Sequence, residues 1–231
     1  MKKFFKALLR FSLYVVLFFL ISSILFALLY KFVNPPITPL MVIRCTGRLF
    51  DGDKIILKKR WVPIENISPE LVLAVVASED NLFFRHNGFD MKAIKKASAF
   101  NKKNEGKKMR GGSTISQQTA KNVFLWPQRS WVRKGLEVYF TALIELFWSK
   151  KRILEVYLNV IETGDGIYGV EQASETYFSK PASAVPGPQA ALLVSILPDP
   201  RKWSPLHPTP YLLHRQSWIL WNMGNIGKLE Y

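Results

Sequence analysis

The uncharged run FSLYVVLFFLISSILFALLY, Phe11 to Tyr30, constrains this chain more than any other feature. Its 20 residues, rising about 1.5 Å each as a helix, match the roughly 30 Å hydrocarbon thickness of a bilayer. Bulky Phe, Leu and Tyr continue up to Lys31 where a signal peptide would present small residues for cleavage, so the pattern predicts a retained anchor. Lys2, Lys3, Lys6 and Arg10 precede the run, and the positive-inside rule leaves residues 1–10 in the cytoplasm. The transmembrane helix is expected over 11–32. Asn34-Pro-Pro-Ile-Thr-Pro39 cannot continue it, because successive prolines remove donors and push their predecessors to extended geometry. Residues 33–40 thus read as a stiff linker, and 41–231 as one exported domain.

The domain segment is long enough for a proper core, and no repeat or second linker divides it. The formal charge is +15, and taking away the five cations up to Lys31 leaves +10 on the exported part. Such a surface suits an anionic partner. Beyond the membrane that means phospholipid headgroups or phosphorylated lipids, while the orientation and the absence of any recognisable motif argue against nucleic acid. Cys45 is the only cysteine, so no intrachain disulfide framework exists, and no Cys/His cluster suggests zinc.

Helical periodicity dominates the rest. Brief alternation at Met41–Arg44 and Lys54–Lys58 could make a small hairpin around Asp51-Gly-Asp53. Ser68-Pro69-Glu70 reads as an N-cap, a first-turn proline and an acid at the positive dipole end. Further helices are predicted from Ser130 to about Phe147, through Leu154, Tyr157, Leu158 and Ile161 up to Gly164-Asp-Gly166, over about 170–178, and over 189–197 before Pro198-Asp-Pro200.

Four segments could carry chemistry. At about 100° per residue, Val72, Val75, Val76, Glu79 and Phe83 share one face, which would carry the Glu79 carboxylate inward with the valines. A general base and a hydrogen-bonded structural glutamate both account for that. Lys107-Lys-Met-Arg-Gly-Gly-Ser-Thr-Ile-Ser-Gln-Gln-Thr-Ala-Lys-Asn122 joins a basic run to a glycine pair and a dense polar set. A helix starting near Ser113 would aim its free N–H groups at an anion, whereas the plainer reading is a loop before a capped polar helix. Gln117, Gln118, Lys121 and Asn122 make the ligand reading the stronger one, since that face is costly to bury alone. Lys102, Lys103, Lys107, Lys108 and Arg110 are either a solvated run or an attractor of lipid phosphates. Arg133-Lys134-Gly-Leu-Glu137 puts two cations before an acid, the less favourable helical order. It is either a surface salt bridge or a diphosphate site in which Glu137 positions a cation. In Lys151-Arg-Ile-Leu-Glu-Val-Tyr-Leu-Asn159, Glu155 and Asn159 share a face, and structural support is the expected role.

Together these segments resemble the peptidoglycan glycosyltransferases of family 51, and particularly its monofunctional members. The resemblance rests on Glu79-Asp-Asn-Leu-Phe-Phe-Arg-His-Asn-Gly88, Gly111-Gly-Ser-Thr-Ile-Ser-Gln-Gln118 with Lys121-Asn122, Arg133-Lys-Gly-Leu-Glu137, Ile153-Leu-Glu-Val-Tyr-Leu-Asn159 and Ala190-Ala-Leu-Leu-Val-Ser-Ile-Leu-Pro-Asp-Pro200. It spans about residues 40–220. The implied fold is mainly α, a lysozyme-like lobe with a small membrane-proximal jaw behind one N-terminal transmembrane helix. The implied reaction polymerises lipid II on the outer face of the inner, cytoplasmic membrane, in the periplasm. Glu79 would take the proton from the GlcNAc 4-hydroxyl as that oxygen attacks the growing chain, inverting the anomeric carbon and releasing undecaprenyl diphosphate. Glu137 would be the second catalytic glutamate and, with Arg133, Lys134 and Lys121, handle the diphosphate, with magnesium as a divalent cofactor at Glu137. Asp80, Arg110, Ser113, Thr114, Gln117, Gln118 and Asn122 would contact substrate, and His86, Glu155 and Asn159 would support the site. The basic run near 100–110 and Phe124-Leu-Trp126 would lie close to the bilayer. The implied partners are lipid II, the nascent glycan, the membrane, and proteins of a wall-synthesis or division complex.

Neither a Ser-x-x-Lys nucleophile nor a Lys-Thr-Gly strand occurs, so no transpeptidase activity is expected. The nearest enzymatic rival is a lytic transglycosylase, which has no use for a diphosphate cluster. A rival of another class is an inactive scaffold subunit, against which Glu79 and Glu137 both stand.

Overall fold

A computed structural model describes residues 2–104 and 111–229 as two compact units, Met1–Asn34 and Pro35–Tyr231. Helix α1 (Lys2–Phe32) extends well beyond the apolar run at its N-terminal end. It is long and apolar enough to be a single-pass membrane anchor. Its large side chains, Phe4, Phe18 and Phe32 among them, are exposed as a lipid-facing surface requires.

The second unit is mainly helical. Helix α2 (Pro39–Phe50) occupies the stretch expected to begin a hairpin. Thr38 accepts the Met41 N–H at 3.4 Å and Pro39 sits in the first turn, so the local start signal overrides the short alternation. Arg44 then forks onto both oxygens of Glu162 at 3.0 and 3.1 Å, tying α2 to the segment around Glu162. The only strand residues among those described form three short pieces, β1 (Lys58–Lys59), β2 (Glu162–Gly164) and β3 (Ile167–Tyr168), in the order β1-β3-β2. Strand β1 is parallel to β3, and β2 antiparallel to it with a bulge.

Helix α3 (Pro69–Glu79) is the centre of the domain. Leu71, Val72, Ala74, Val75, Val76 and Ala77 are all buried, so the helix is enclosed on nearly every side. Ser68 stands at the N-cap position as expected, but its side chain makes no capping bond. Its hydroxyl donates to the Val185 carbonyl at 2.6 Å, which ties the start of α3 to the segment ahead of α9 (Gly187–Ser195). Helices α9 and α10 (Pro210–Ile226) pack against α3 from one side. Helix α5 (Ile115–Phe124) packs against both α6 (Trp131–Phe147) and α7 (Lys150–Val160), with α8 (Val170–Phe178) beside β3.

Helix α4 (Met91–Lys103), capped by Asp90 accepting the Ala93 N–H at 2.8 Å, was not foreseen from the sequence, nor was α10. Lys102 and Lys103 form the last turn of α4, where they complement the helix dipole. Lys107, Lys108 and Arg110 lie outside the described residues. The Phe124-Leu-Trp126 segment is turned largely into the domain. Phe124 stacks on Phe140 with centroids 4.5 Å apart, and Leu125 is buried.

Glu155 and Asn159 brace the chain that leads into α3. Glu155 accepts the Ile64 N–H at 3.1 Å, while Asn159 exchanges two 2.9 Å bonds with the backbone of Val62.

Candidate active site

Glu79 is the last residue of α3, because Asp80 leaves the helical region with φ −164°. The carboxylate therefore emerges half-buried at the helix end, and not within the apolar stripe where helical spacing alone would put it. Both oxygens are engaged. Ser78 Oγ donates to Oε1 at 3.1 Å and Gln118 Nε2 donates to Oε2 at 3.0 Å. Each donor is itself held from a different helix. Arg215 of α10 donates to Ser78 Oγ at 3.3 Å, and the Tyr157 hydroxyl of α7 donates to Gln118 Oε1 at 3.2 Å.

Asp80 and His86 tie α3 to α5. His86 Nε2 lies 3.0 and 3.1 Å from the two Asp80 oxygens, and one of these also accepts the Ile115 N–H at 3.0 Å. Burial pushes the Asp80 carboxyl upward, against the opposing pull of His86, the Ile115 N–H and Lys150. With its oxygens committed inward, Asp80 is placed to join two helices, which differs from the substrate contact the sequence suggested.

Helix α5 begins at Ile115, two residues later than expected, because Thr114 and Gln117 form a reciprocal capping box. Thr114 Oγ1 also donates to the Gly88 carbonyl at 2.6 Å. The Thr114 hydroxyl and the Gln117 side-chain oxygen are engaged by these bonds and both residues are buried, which gives them a structural role at the start of α5. Ser113 is exposed outside the box. Gln118, Lys121 and Asn122 of the same helix do line a cavity of about 410 Å³. Leu40 and Arg44 of α2, Trp126, Arg129, Tyr157 and the Leu197–Arg201 turn complete most of its wall.

The second acid sits on α6, whose cap Ser130 accepts the Arg133 N–H at 3.1 Å. Arg133 donates to Glu137 Oε2 at 2.6 Å and Lys134 pairs with Oε1. Glu137 is 3% exposed and Arg133 9%, so this ion pair is largely removed from water. Lys121 feels the field of both acids. Burial lowers its pKa, Glu137 and Glu79 raise it, and Arg133 and Lys134 lower it, so all four charges are within its electrostatic reach. Arg133 and Lys134 on Glu137, together with Lys121 in the cavity wall, make a cationic excess that suits a diphosphate.

Both Glu137 oxygens take a cationic donor, so the carboxylate serves the Arg133 and Lys134 pairs, and among the described residues no group of three or more His, Cys, Asp or Glu could hold a metal ion by itself.

Sequence reasoning missed Ser78, Tyr157 and Arg215. Tyr157 falls on the apolar stripe of α7 and reads as core, which at 1% exposed it also is. Ser78 and Arg215 carry no local signal, since they meet across 137 positions.

A sequence model of the transglycosylase family matches residues 53–224. The chain is 54% identical over 89% of its length to a biosynthetic peptidoglycan transglycosylase of Bdellovibrio bacteriovorus, covering 81% of that protein. It is 52% identical to one from Bacteroides thetaiotaomicron, over 96% of the chain and 89% of that protein. A third, from Pseudomonas putida, is 49% identical over 94% and 91%.

Proposed function

The chain belongs to the transglycosylase family, and from that premise we propose that it is a peptidoglycan glycosyltransferase that polymerises glycan strands from lipid II with Glu79 as general base. The observation that carries this reading is a half-buried glutamate and a cation-rich second glutamate that both act electrostatically on Lys121, a residue of the cavity wall.

The reaction needs two things at once: removal of a hydroxyl proton and compensation of a leaving diphosphate. Glu79 supplies the first. Its oxygens are steered by Ser78 and Gln118, so the acid holds a fixed direction while a carboxylate lone pair accepts the proton of the acceptor GlcNAc 4-hydroxyl. As that O–H bond breaks, the oxygen forms a bond to the anomeric carbon of the growing strand. The bond from that carbon to the diphosphate oxygen breaks, and undecaprenyl diphosphate departs with the electron pair. Displacement from the opposite face inverts the centre, and no covalent sugar–enzyme intermediate is required.

Lys121, Arg133 and Lys134 supply the second need. Their charge is in place before the bond breaks, so the negative charge developing on the diphosphate meets donors that need not reorganise. Glu137 acts by holding Arg133 and Lys134 in position.

A single-pass anchor in α1 supports a role for this chemistry at a membrane surface. By the charge asymmetry around α1, the domain lies on the periplasmic face of the inner membrane, where a lipid-linked substrate and the nascent glycan would be within reach. Proteins of a wall-building or division complex are fitting partners for such an anchored polymerase.

The test is Glu79→Gln in the full-length, detergent-solubilised protein, assayed with labelled lipid II. The amide keeps the size and cannot accept the proton, so strand synthesis should fall by about 100-fold or more, as general-base removal commonly does. Undiminished polymer would refute the assignment, and soluble fragments released from finished sacculi would favour a lytic enzyme.

A further inference from the structure

We propose that Tyr157 is a positioning residue for the catalytic base, acting through Gln118. The Tyr157 hydroxyl lies 3.2 Å from Gln118 Oε1, and Gln118 Nε2 lies 3.0 Å from Glu79 Oε2. An ionised carboxylate can only accept, so the side of Gln118 facing Glu79 must be its NH2 group. The carbonyl then faces Tyr157, which must donate. Reversing the amide would set its carbonyl against the carboxylate and break the bond to Glu79, so a donor at Tyr157 holds the amide the right way round.

Tyr157 is suited to be a permanent donor. At 1% exposed it is enclosed by the core, and burial together with the charges of Glu79 and Asp80 pushes its pKa well above the ordinary tyrosine value. The hydroxyl therefore keeps its proton wherever the enzyme works. The ring belongs to the same buried stripe as Leu154, Leu158 and Ile153, so its position is set by the core of α7. Through Gln118, the core of one helix thereby fixes the direction of an acid on another. Lost hydroxyl and retained ring would leave Gln118 free to turn its carbonyl toward Glu79, repelling the carboxylate from its working position.

The inference rests on Glu79 being the base, and the experiment separates the two ideas. Tyr157→Phe, Gln118→Ala and the double variant are compared by kcat and KM for lipid II, with thermal denaturation confirming that each is folded. For Tyr157→Phe, kcat should fall about 3- to 10-fold, the effect of one net hydrogen bond, with KM changed less than about twofold. In the Gln118→Ala background the same change should lower kcat no further, because the route through the amide is already cut. An equal fall in both backgrounds would overturn the relay. So would a raised KM with unchanged kcat, which would mean that Tyr157 touches substrate directly. Full activity of Glu79→Gln removes the base assignment itself, whereas an inactive Glu79→Gln beside a fully active Tyr157→Phe removes only the relay.

Discussion

Replacing Glu137 by Gln tests whether the second acid acts as a holder of cations. The Arg133 and Glu137 side chains are only 10% and 4% exposed, while Lys134 is 41% exposed and remains hydrated without its partner. The loss therefore falls mainly on Arg133, a buried guanidinium left with a neutral acceptor. Breaking such a pair costs about 3–5 kcal/mol, and the retained amide oxygen argues for the lower end. For a domain of this size, about 3 kcal/mol corresponds to a Tm lowered by roughly 6–12 °C. Circular dichroism of the detergent-solubilised protein would read that shift, and lipid II polymerisation should fall by about 100- to 1000-fold as the preorganised charge is lost. The double variant Arg133→Met/Glu137→Met removes both charges and restores an apolar packing, so most of the Tm should return while activity stays absent. A double variant as unstable as the single, or a single variant within about 2 °C of the parent, would refute the reasoning.

Two further outcomes follow from the site. Burial lowers the Lys121 pKa below its ordinary 10.5; between those two values the unfolded chain binds more protons, so stability should rise with pH while polymerisation falls. Lys121→Arg, which keeps its charge, should move the alkaline loss of activity to higher pH, and an unmoved profile would exclude Lys121 as its cause. Gly88 has φ +83°, and an added Cβ would lie 2.9 Å from the side chains of both Glu145 and Thr141. Gly88→Ala should therefore cost roughly 2 kcal/mol or more and lower Tm by at least about 4 °C, which a thermal melt would check.

Much of this was legible because helices write their buried faces at a regular spacing. The α3, α6 and α7 stripes and the Ser130 cap could be read locally. Gly164-Asp-Gly166, expected to end α7, instead makes the turn between β2 and β3, the helix having stopped at Val160. The α2 region was misread because four alternating residues outweighed Thr38-Pro39, a start signal that was present. Thr209-Pro210 announces α10 in the same way. Thr114 and Gln117 have the spacing of a capping box, so their polarity has a local explanation that the sequence already contained. The relays onto Glu79 were a different matter. Tyr157 meets Gln118 across 39 positions, and Arg215 meets Ser78 across 137, so no periodicity or cap can signal either.

Enclosure of α3 on nearly all sides has a consequence for anyone seeking to block the enzyme. A helix without a solvent face cannot slide or turn unless the interior is vacated, so the acid at its tip is a stationary landmark, unlike a residue carried on a loop. Compounds built around that landmark can be stiff, and resistance by shifting the acid aside would require dismantling the domain that bears it.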